Sequence, residues 1–247
     1  MPKEAMVSQP LLSLELNEYL AEGVWHVTVG RHPLRWQQGV TQSSVAPGWQ
    51  GLLAITAHSR FNGLPADLRV VRCQSLTRLQ VFIDQGEVAQ HQPVTSSAAA
   101  CLPLAFDVIR DTQLLESWYI QQALAASLGF ERFATALRNS EEYWLVRYLL
   151  EQGTGQDSLQ MLARRYGVSV SHFRRLCHQA LGGATKPALR GWRVARALLE
   201  SIREGRSLTE VAQNQGYCSS SHFSREVREL LGVAPSQLGD IIGTLRP

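Results

Sequence analysis

The chain has 247 residues, 45% of them hydrophobic, enough to bury one large core or two ordinary ones, and a formal net charge of +3. No segment reaches the ~18 apolar residues of a membrane span; the best candidate, Ala98 to Phe106, is short and broken by Pro103. The four cysteines, Cys73, Cys101, Cys177 and Cys218, form no Cys-x-x-Cys pair, which argues against a zinc knuckle or a disulfide framework.

The first residues, Met1 to Asn17, carry Glu4 and Glu15 where a secretory leader needs a basic start and an apolar stretch, so a cytoplasmic location is expected. From Leu11 to about Val94, four short runs rich in β-branched or aromatic residues read as strands: Val24 to Val29, Leu52 to Thr56, Leu68 to Arg72 and Leu79 to Ile83. Gly23, Gly30, Pro47, Gly48, Asn62, Gly63, Pro65 and Gly86 punctuate them. A small antiparallel barrel or sandwich, cupin-like, is the expectation, within a β-rich regulatory domain over 1–104. His26, His32 and His58 have no metal-site spacing, and neither a metal nor another cofactor is expected. His91 to Ala100 is small and polar, which suits a linker.

The period becomes helical from Phe106 to Leu137, with Leu114, Leu115, Trp118, Ala123, Leu128, Phe133 and Leu137 on apolar faces around a break near Gly129. This gives a helical dimerisation or linker segment over 105–138. The aromatics Trp118, Tyr119, Phe130 and Phe133 suit either core packing of this helical pair or a partner-binding face.

From Asn139 to the end, 139–247, everything reads as short helices. Ser140 caps Glu141 to Gln152, whose apolar stripe is Trp144, Leu145, Tyr148 and Leu149. Asp157 with Gln160, and Ser207 with Glu210, both have capping-box spacing, marking two helix starts. Each start leads into the same pattern. Leu162-Ala163 is followed by Gly167, a serine cluster and His172-Phe173; Val211-Ala212 is followed by Gly216, a serine cluster and His222-Phe223. In both copies Leu-Gly ends the unit nine residues after the Phe, at Gly182 and Gly232.

The physics of the repeat is that of a helix-turn-helix. Leu or Val with Ala faces the core of a first helix, and Ala leaves room for a second helix to cross closely. Gly permits the positive φ at which the first helix ends. The second helix is then anchored by Phe173, Leu176 and Ala180, or by Phe223, Val227 and Leu230. The residues left on its outer face are Ser171, Arg174 and Arg175 in the first unit, and Ser220, Ser221, Ser224 and Arg225 in the second. Arg forks onto guanine O6 and N7 and Ser serves base edges or phosphates, so these seven are the expected base readers of a helix in the major groove. His172 and His222 are either further contacts or ordinary solvated histidines. Between the units, Pro187 to Glu204 is an 18-residue helical pattern about 27 Å long, comparable to the ~34 Å between successive major-groove faces. Lys186, Arg190, Arg193 and Arg196 cluster near its start, as phosphate contacts or as solvated surface charge.

Charge follows the same division. Met1 to Arg138 holds 10 Lys and Arg against 11 Asp and Glu, a balance of −1; Asp157 to Gly232 holds 12 against 6, a balance of +6. A basic region coinciding with the repeat is the electrostatic footprint of a DNA-binding domain.

These residues resemble the AraC/XylS transcription regulators over about Ser140 to Ile242, most tellingly in Gly216 to Phe223 and Leu231 to Ser236. Ser140 to Leu150 and Tyr166 to Gly183 are similar to a subgroup, the InvF-like invasion-gene activators of type III secretion systems. The resemblance implies an α+β chain whose all-α double helix-turn-helix domain is joined by a long linker helix. It implies an activator of effector and chaperone operons that works on promoter DNA with RNA polymerase, with a secretion chaperone as coactivator and a homodimer as a further possibility. The alternative is an AraC-type regulator of a metabolic operon that answers a small molecule, although the first half shows no ligand-binding signature. An enzyme is not expected: the chain has no Gly-x-x-x-x-Gly-Lys-Ser/Thr loop, no His-Glu-x-x-His, no Gly-x-Ser-x-Gly elbow and no Cys-plus-His motif of an alkyl-transferring regulator. Gly153-Thr154-Gly155 lacks the third glycine of a dinucleotide site.

Overall fold

The computed structural model describes residues 20–38, 40–57, 59–86, 100–153, 157–235 and 237. The expected linker from His91 falls on residues outside this set, apart from Ala100, as does His58. The chain divides into two compact units, Met1–Arg72 with Val94–Ala136, and Cys73–Pro93 with Leu137–Pro247. No helix among the described residues is long and apolar enough to cross a membrane.

In the first unit, β1 (Gly23–Thr28), β4 (Gln50–Ile55), β6 (Arg69–Arg72) and β7 (Ala100–Pro103) form an antiparallel sheet of order β6-β1-β4-β7. A second antiparallel sheet has β2 (Leu34–Gln38) between β3 (Thr41–Val45) and β5 (Ser59–Phe61). Three of the four expected strands are thus present as β1, β4 and β6. Val27, Val29, Leu34, Trp36, Val45, Leu53, Ile55 and Leu68 share one core. Strand β4 is buried from Gly51 to Ile55 without alternation, which explains its continuous apolar run. A Cβ at Gly51 would lie 2.5 Å from the Leu102 carbonyl oxygen on β7, so the two strands meet only because that position is glycine. His26 is buried on β1, and His32 lies 3.8 Å from Asp67.

Helix α2 (Thr112–Ala125) starts at Asp111, whose carboxylate accepts from the Gln113 N–H at 2.7 Å, and α3 (Leu128–Arg138) follows. The break expected near Gly129 falls earlier, at Ala126 with φ 46°, and Gly129 lies inside α3. Tyr119 packs edge-on against Phe130 and Phe133, at centroid distances of 5.1 and 6.3 Å, and all three are buried. Three of the four aromatics therefore serve the core; Trp118 is half-buried.

The second unit begins with a helix where a strand was expected. Leu79 to Ile83, expected as a strand, lies inside α1 (Gln74–Gly86). The short apolar run satisfies both periods, and packing decides: Val81 joins a helical core with Tyr143, Leu145, Val146, Leu149 and Leu162. That core centres on α4 (Glu141–Gln152), capped by Ser140 as expected, with Tyr143 N–H donating to its Oγ at 3.2 Å. Trp144, expected in the stripe, is instead exposed and lies under the Arg147 guanidinium at 5.4 Å.

Around α4 lie α5 (Leu159–Tyr166), α6 (Val170–Leu181) and α7 (Thr185–Glu204); α8 (Leu208–Asn214) and α9 (Ser220–Leu231) complete the unit. Capping of α5 differs from expectation. Ser158 is the N-cap and accepts from Met161 N–H at 3.2 Å, while Asp157 is bonded to Arg165 in the last turn of the helix. The box at α8 is as read: Glu210 N–H donates to Ser207 Oγ at 3.3 Å and Ser207 N–H donates to Glu210 Oε2 at 2.9 Å.

Candidate nucleic-acid interface

Two local structures repeat, and each sets a helix with one buried and one exposed face. Helix α5 ends at Gly167 with φ 85°, and Val168 N–H returns to the Ala163 carbonyl at 3.1 Å. Helix α8 ends one residue before Gly216, which has φ 75°, and Tyr217 N–H returns to the Ala212 carbonyl at 2.9 Å. These closures are the same, since each glycine takes the left-handed conformation that lets the last carbonyls of the helix be satisfied. Ser169 and Ser219 then cap α6 and α9, accepting from His172 N–H at 3.3 Å and from His222 N–H at 3.1 Å.

The anchors follow. Phe173 is fully buried, with its ring 5.6 Å from Tyr166 and 6.3 Å from Tyr148, and Cys177 and Ala180 complete the inner face of α6. Burial raises the Cys177 thiol to about 11, so it stays protonated and acts as a small apolar group. Phe223 and Val227 anchor α9, with Tyr217 5.0 Å from Phe223. Two expected anchors move outward: Leu230 is 41% exposed, and Leu176 is half-buried, packed beside the core. Aligned on the two phenylalanines, Cys177 matches Val227, and this pair provides the inward position one turn below each ring.

With these faces fixed, Ser171, Arg174 and Arg175 are exposed on α6, and Ser220, Ser221 and Arg225 on α9, with Ser224 half-buried beside them. Arg174 has no acidic partner among the described residues. Arg175 donates to His172 Nδ1 at 3.1 Å, which places the histidine beside the arginine on the outer face. His222 is turned edge-on to Tyr217 at 5.6 Å, as a packing neighbour of the core. The residues of α9 line an open depression of about 510 Å³ together with Arg228 and Glu229. Arg228 escaped the sequence reading. Its spacing with Ser221 and Arg225, four and then three residues apart, is the helical signal that identifies it.

The four cations at the start of the linker helix divide differently. Lys186 is exposed. Arg196 donates to the Leu150 carbonyl at 3.2 Å and ties α7 to the end of α4, while Arg193 lies over the Tyr217 ring at 5.5 Å. Arg190 donates through Nε to Glu226 Oε1 at 2.6 Å and through a terminal nitrogen to Glu229 Oε2 at 2.7 Å, both on α9. The Tyr217 hydroxyl donates to the second Glu226 oxygen. Burial pushes the Glu226 carboxyl up, but the bonds from Tyr217 and Arg190 outweigh it and hold the group ionised below the usual carboxylate range.

A family model described as a helix-turn-helix domain matches residues 162–240. The chain is 42% identical over 175 residues to the invasion protein InvF of Salmonella typhi and of Salmonella typhimurium, covering 70% of this chain and 81% of theirs. It is 38% identical over 137 residues to the transcriptional regulator MxiE of Shigella flexneri, covering 55% of this chain and 65% of that one. Among solved structures, ToxT from Vibrio cholerae aligns over 92% of each chain at 11% identity with a TM-score of 0.38.

Proposed function

The chain belongs to the AraC/XylS family of helix-turn-helix transcription regulators, and from that premise we propose that it activates operons of a type III secretion system, effector and chaperone genes among them. In this reading α6 and α9 enter successive major grooves and read bases through Ser171, Arg174, Arg175, Ser220, Ser221, Ser224 and Arg225. Bound there, the protein engages RNA polymerase, and a secretion chaperone acts as coactivator.

The observation that carries the reading is the pair of matched helices, each buried through one phenylalanine and each presenting serine and arginine outward. A family domain covering 162–240 supports DNA binding, and the InvF relationship supports the choice of operon. Footprinting of the full chain on secretion-operon promoters is the test, followed by transcription in vitro with and without the cognate chaperone. The expected result is a protected site spanning two adjacent major-groove segments and transcription that rises when chaperone is added. Full activity without chaperone rejects the coactivator, and protection that appears only after addition of a sugar or aromatic acid favours the small-molecule reading.

A further inference from the structure

The two recognition helices differ in charge. Helix α6 carries Arg174 and Arg175 and no acid, whereas α9 carries Arg225 and Arg228 with Glu226 and Glu229. Aligned on the two phenylalanines, Glu226 stands where α6 has Leu176, and Glu229 where it has Gln179. The second helix is therefore formally neutral, with Glu229 half-exposed on the rim of the same depression as Ser221 and Arg225. A carboxylate at that rim faces the phosphates of any duplex lying against the helix and opposes binding.

Arg190 answers both acids with one guanidinium. Its bonds to Glu226 and Glu229, at 2.6 and 2.7 Å, span one turn of α9, and its planar fork suits two acceptors at once. Glu226 is buried and also held by Tyr217, so the clamp fixes the rotation of α9 about its own axis relative to α7. That rotation decides which side chains face outward.

We propose that Arg190 is a positioning residue for the second recognition helix: it neutralises Glu229 at the DNA-facing rim and locks the angle at which Ser221 and Arg225 are presented. The inference rests on the reading that α9 lies against DNA. It assigns Arg190 a role inside the protein, in place of the direct phosphate contact expected from its position on the linker helix.

The test uses the full chain and a duplex of about 30 bp, long enough for two adjacent groove segments, selected by the wild-type protein from a randomised pool. Affinity is measured across a salt series for Arg190→Ala, Glu229→Gln and the double variant, with thermal melting beside each. Arg190→Ala is expected to weaken binding by roughly tenfold, and Glu229→Gln in the same chain to restore it to within about threefold with the wild-type salt slope. Glu229→Gln alone, a substitution at a half-exposed site that leaves the fold intact, is expected to tighten binding about two- to threefold. The proposal is overturned if the double variant binds as weakly as Arg190→Ala with a salt slope lower by about one, the signature of a lost phosphate contact. It is equally overturned if Glu229→Gln alone leaves affinity unchanged. A Ser221→Ala, Arg225→Ala chain separates the two levels: unchanged affinity there rejects the placement of α9 on DNA, whereas weakened binding with no rescue at position 229 rejects the clamp alone.

Discussion

Arg175 and Arg225 occupy the same place on the two recognition helices, two residues after the buried phenylalanine, and their surroundings differ. Arg175 has the His172 ring at 3.1 Å, and Arg225 has the Glu229 carboxylate at 4.0 Å, an exposed pair that water and salt screen. Either side chain is free enough to fork onto a guanine. Replacing Arg174 or Arg225 by Ala is expected to weaken binding to the selected duplex by about 1 to 3 kcal/mol more than binding to random-sequence DNA, measured by competition at fixed salt. Equal losses on both duplexes would remove these residues from the base readers and leave them as phosphate contacts.

Another prediction at this scale concerns pH. Asp84 on α1 accepts from Arg138 Nε at 2.9 Å, from an Arg138 terminal nitrogen at 2.8 Å, from Gln80 at 2.8 Å and from the Tyr143 hydroxyl at 2.7 Å. Burial raises its pKa, yet these bonds outweigh burial and the group titrates below the ordinary range. A depressed carboxylate stabilises the fold fully above its unfolded pKa of about 4, and that contribution is lost as pH falls through the folded value. Denaturant unfolding of the Asp84→Ala chain is therefore expected to show a loss of about 3 kcal/mol at pH 7. The gap to wild type should narrow as pH drops from about 5 toward 2, and a constant gap would assign the loss to packing.

At the scale of elements, α1 has the most consequence. It lies far upstream of the repeat in sequence, yet Val81 is buried in the core of the first helix-turn-helix and Phe82 meets Trp192 of α7 edge-on at 5.6 Å. Arg78 donates to the Leu181 carbonyl at 3.0 Å, supplying a donor to the free C-terminal end of the first recognition helix. A chain beginning at Asn139 keeps every residue of the repeat and loses all of these contacts. Its first helix-turn-helix is expected to melt several degrees below that of the full chain, roughly 4 to 8 °C for each kcal/mol lost from a domain of this size. Val81→Ala in the full chain should reproduce part of the drop. Identical melting of the short and full chains would show that α1 adds nothing to the unit.

For the whole molecule the governing quantity is where charge is placed and how much of it is free. The repeat region carries a balance of +6, but Arg165, Arg190, Arg193, Arg196 and Arg206 are held within the protein by acids, a carbonyl or a ring. Arg174, Arg175, Lys186, Arg225 and Arg228 remain exposed on or beside the recognition helices. If each meets one phosphate, the slope of log affinity against log salt is near −4 to −5, and binding falls by several hundredfold, roughly, between 50 and 200 mM salt. A slope near −10 would mean that the paired cations turn to the duplex as well. The linker helix sets the span. At 20 residues, against 18 expected, it is about 30 Å long, because the helix begins at Thr185, before the proline that marked its start in sequence.

The amino-acid sequence alone determined the helix-turn-helix pair, its glycines, its serine caps and most of its outer face, because these depend on local rules: φ preference, capping chemistry and the helical period. It also sufficed for β1, β4 and β6, where β-branched residues sit between turn formers. What only the tertiary structure decided were the features fixed by residues distant in sequence. Leu79 to Ile83 became helix because a helical core was there to bury Val81, and Asp157 gave up the cap to Ser158 for a bond to Arg165. Arg190 was taken by Glu226 and Glu229, 36 and 39 residues away. A side chain's charge can be read from one letter, but whether that charge is free depends on which acids the fold brings beside it.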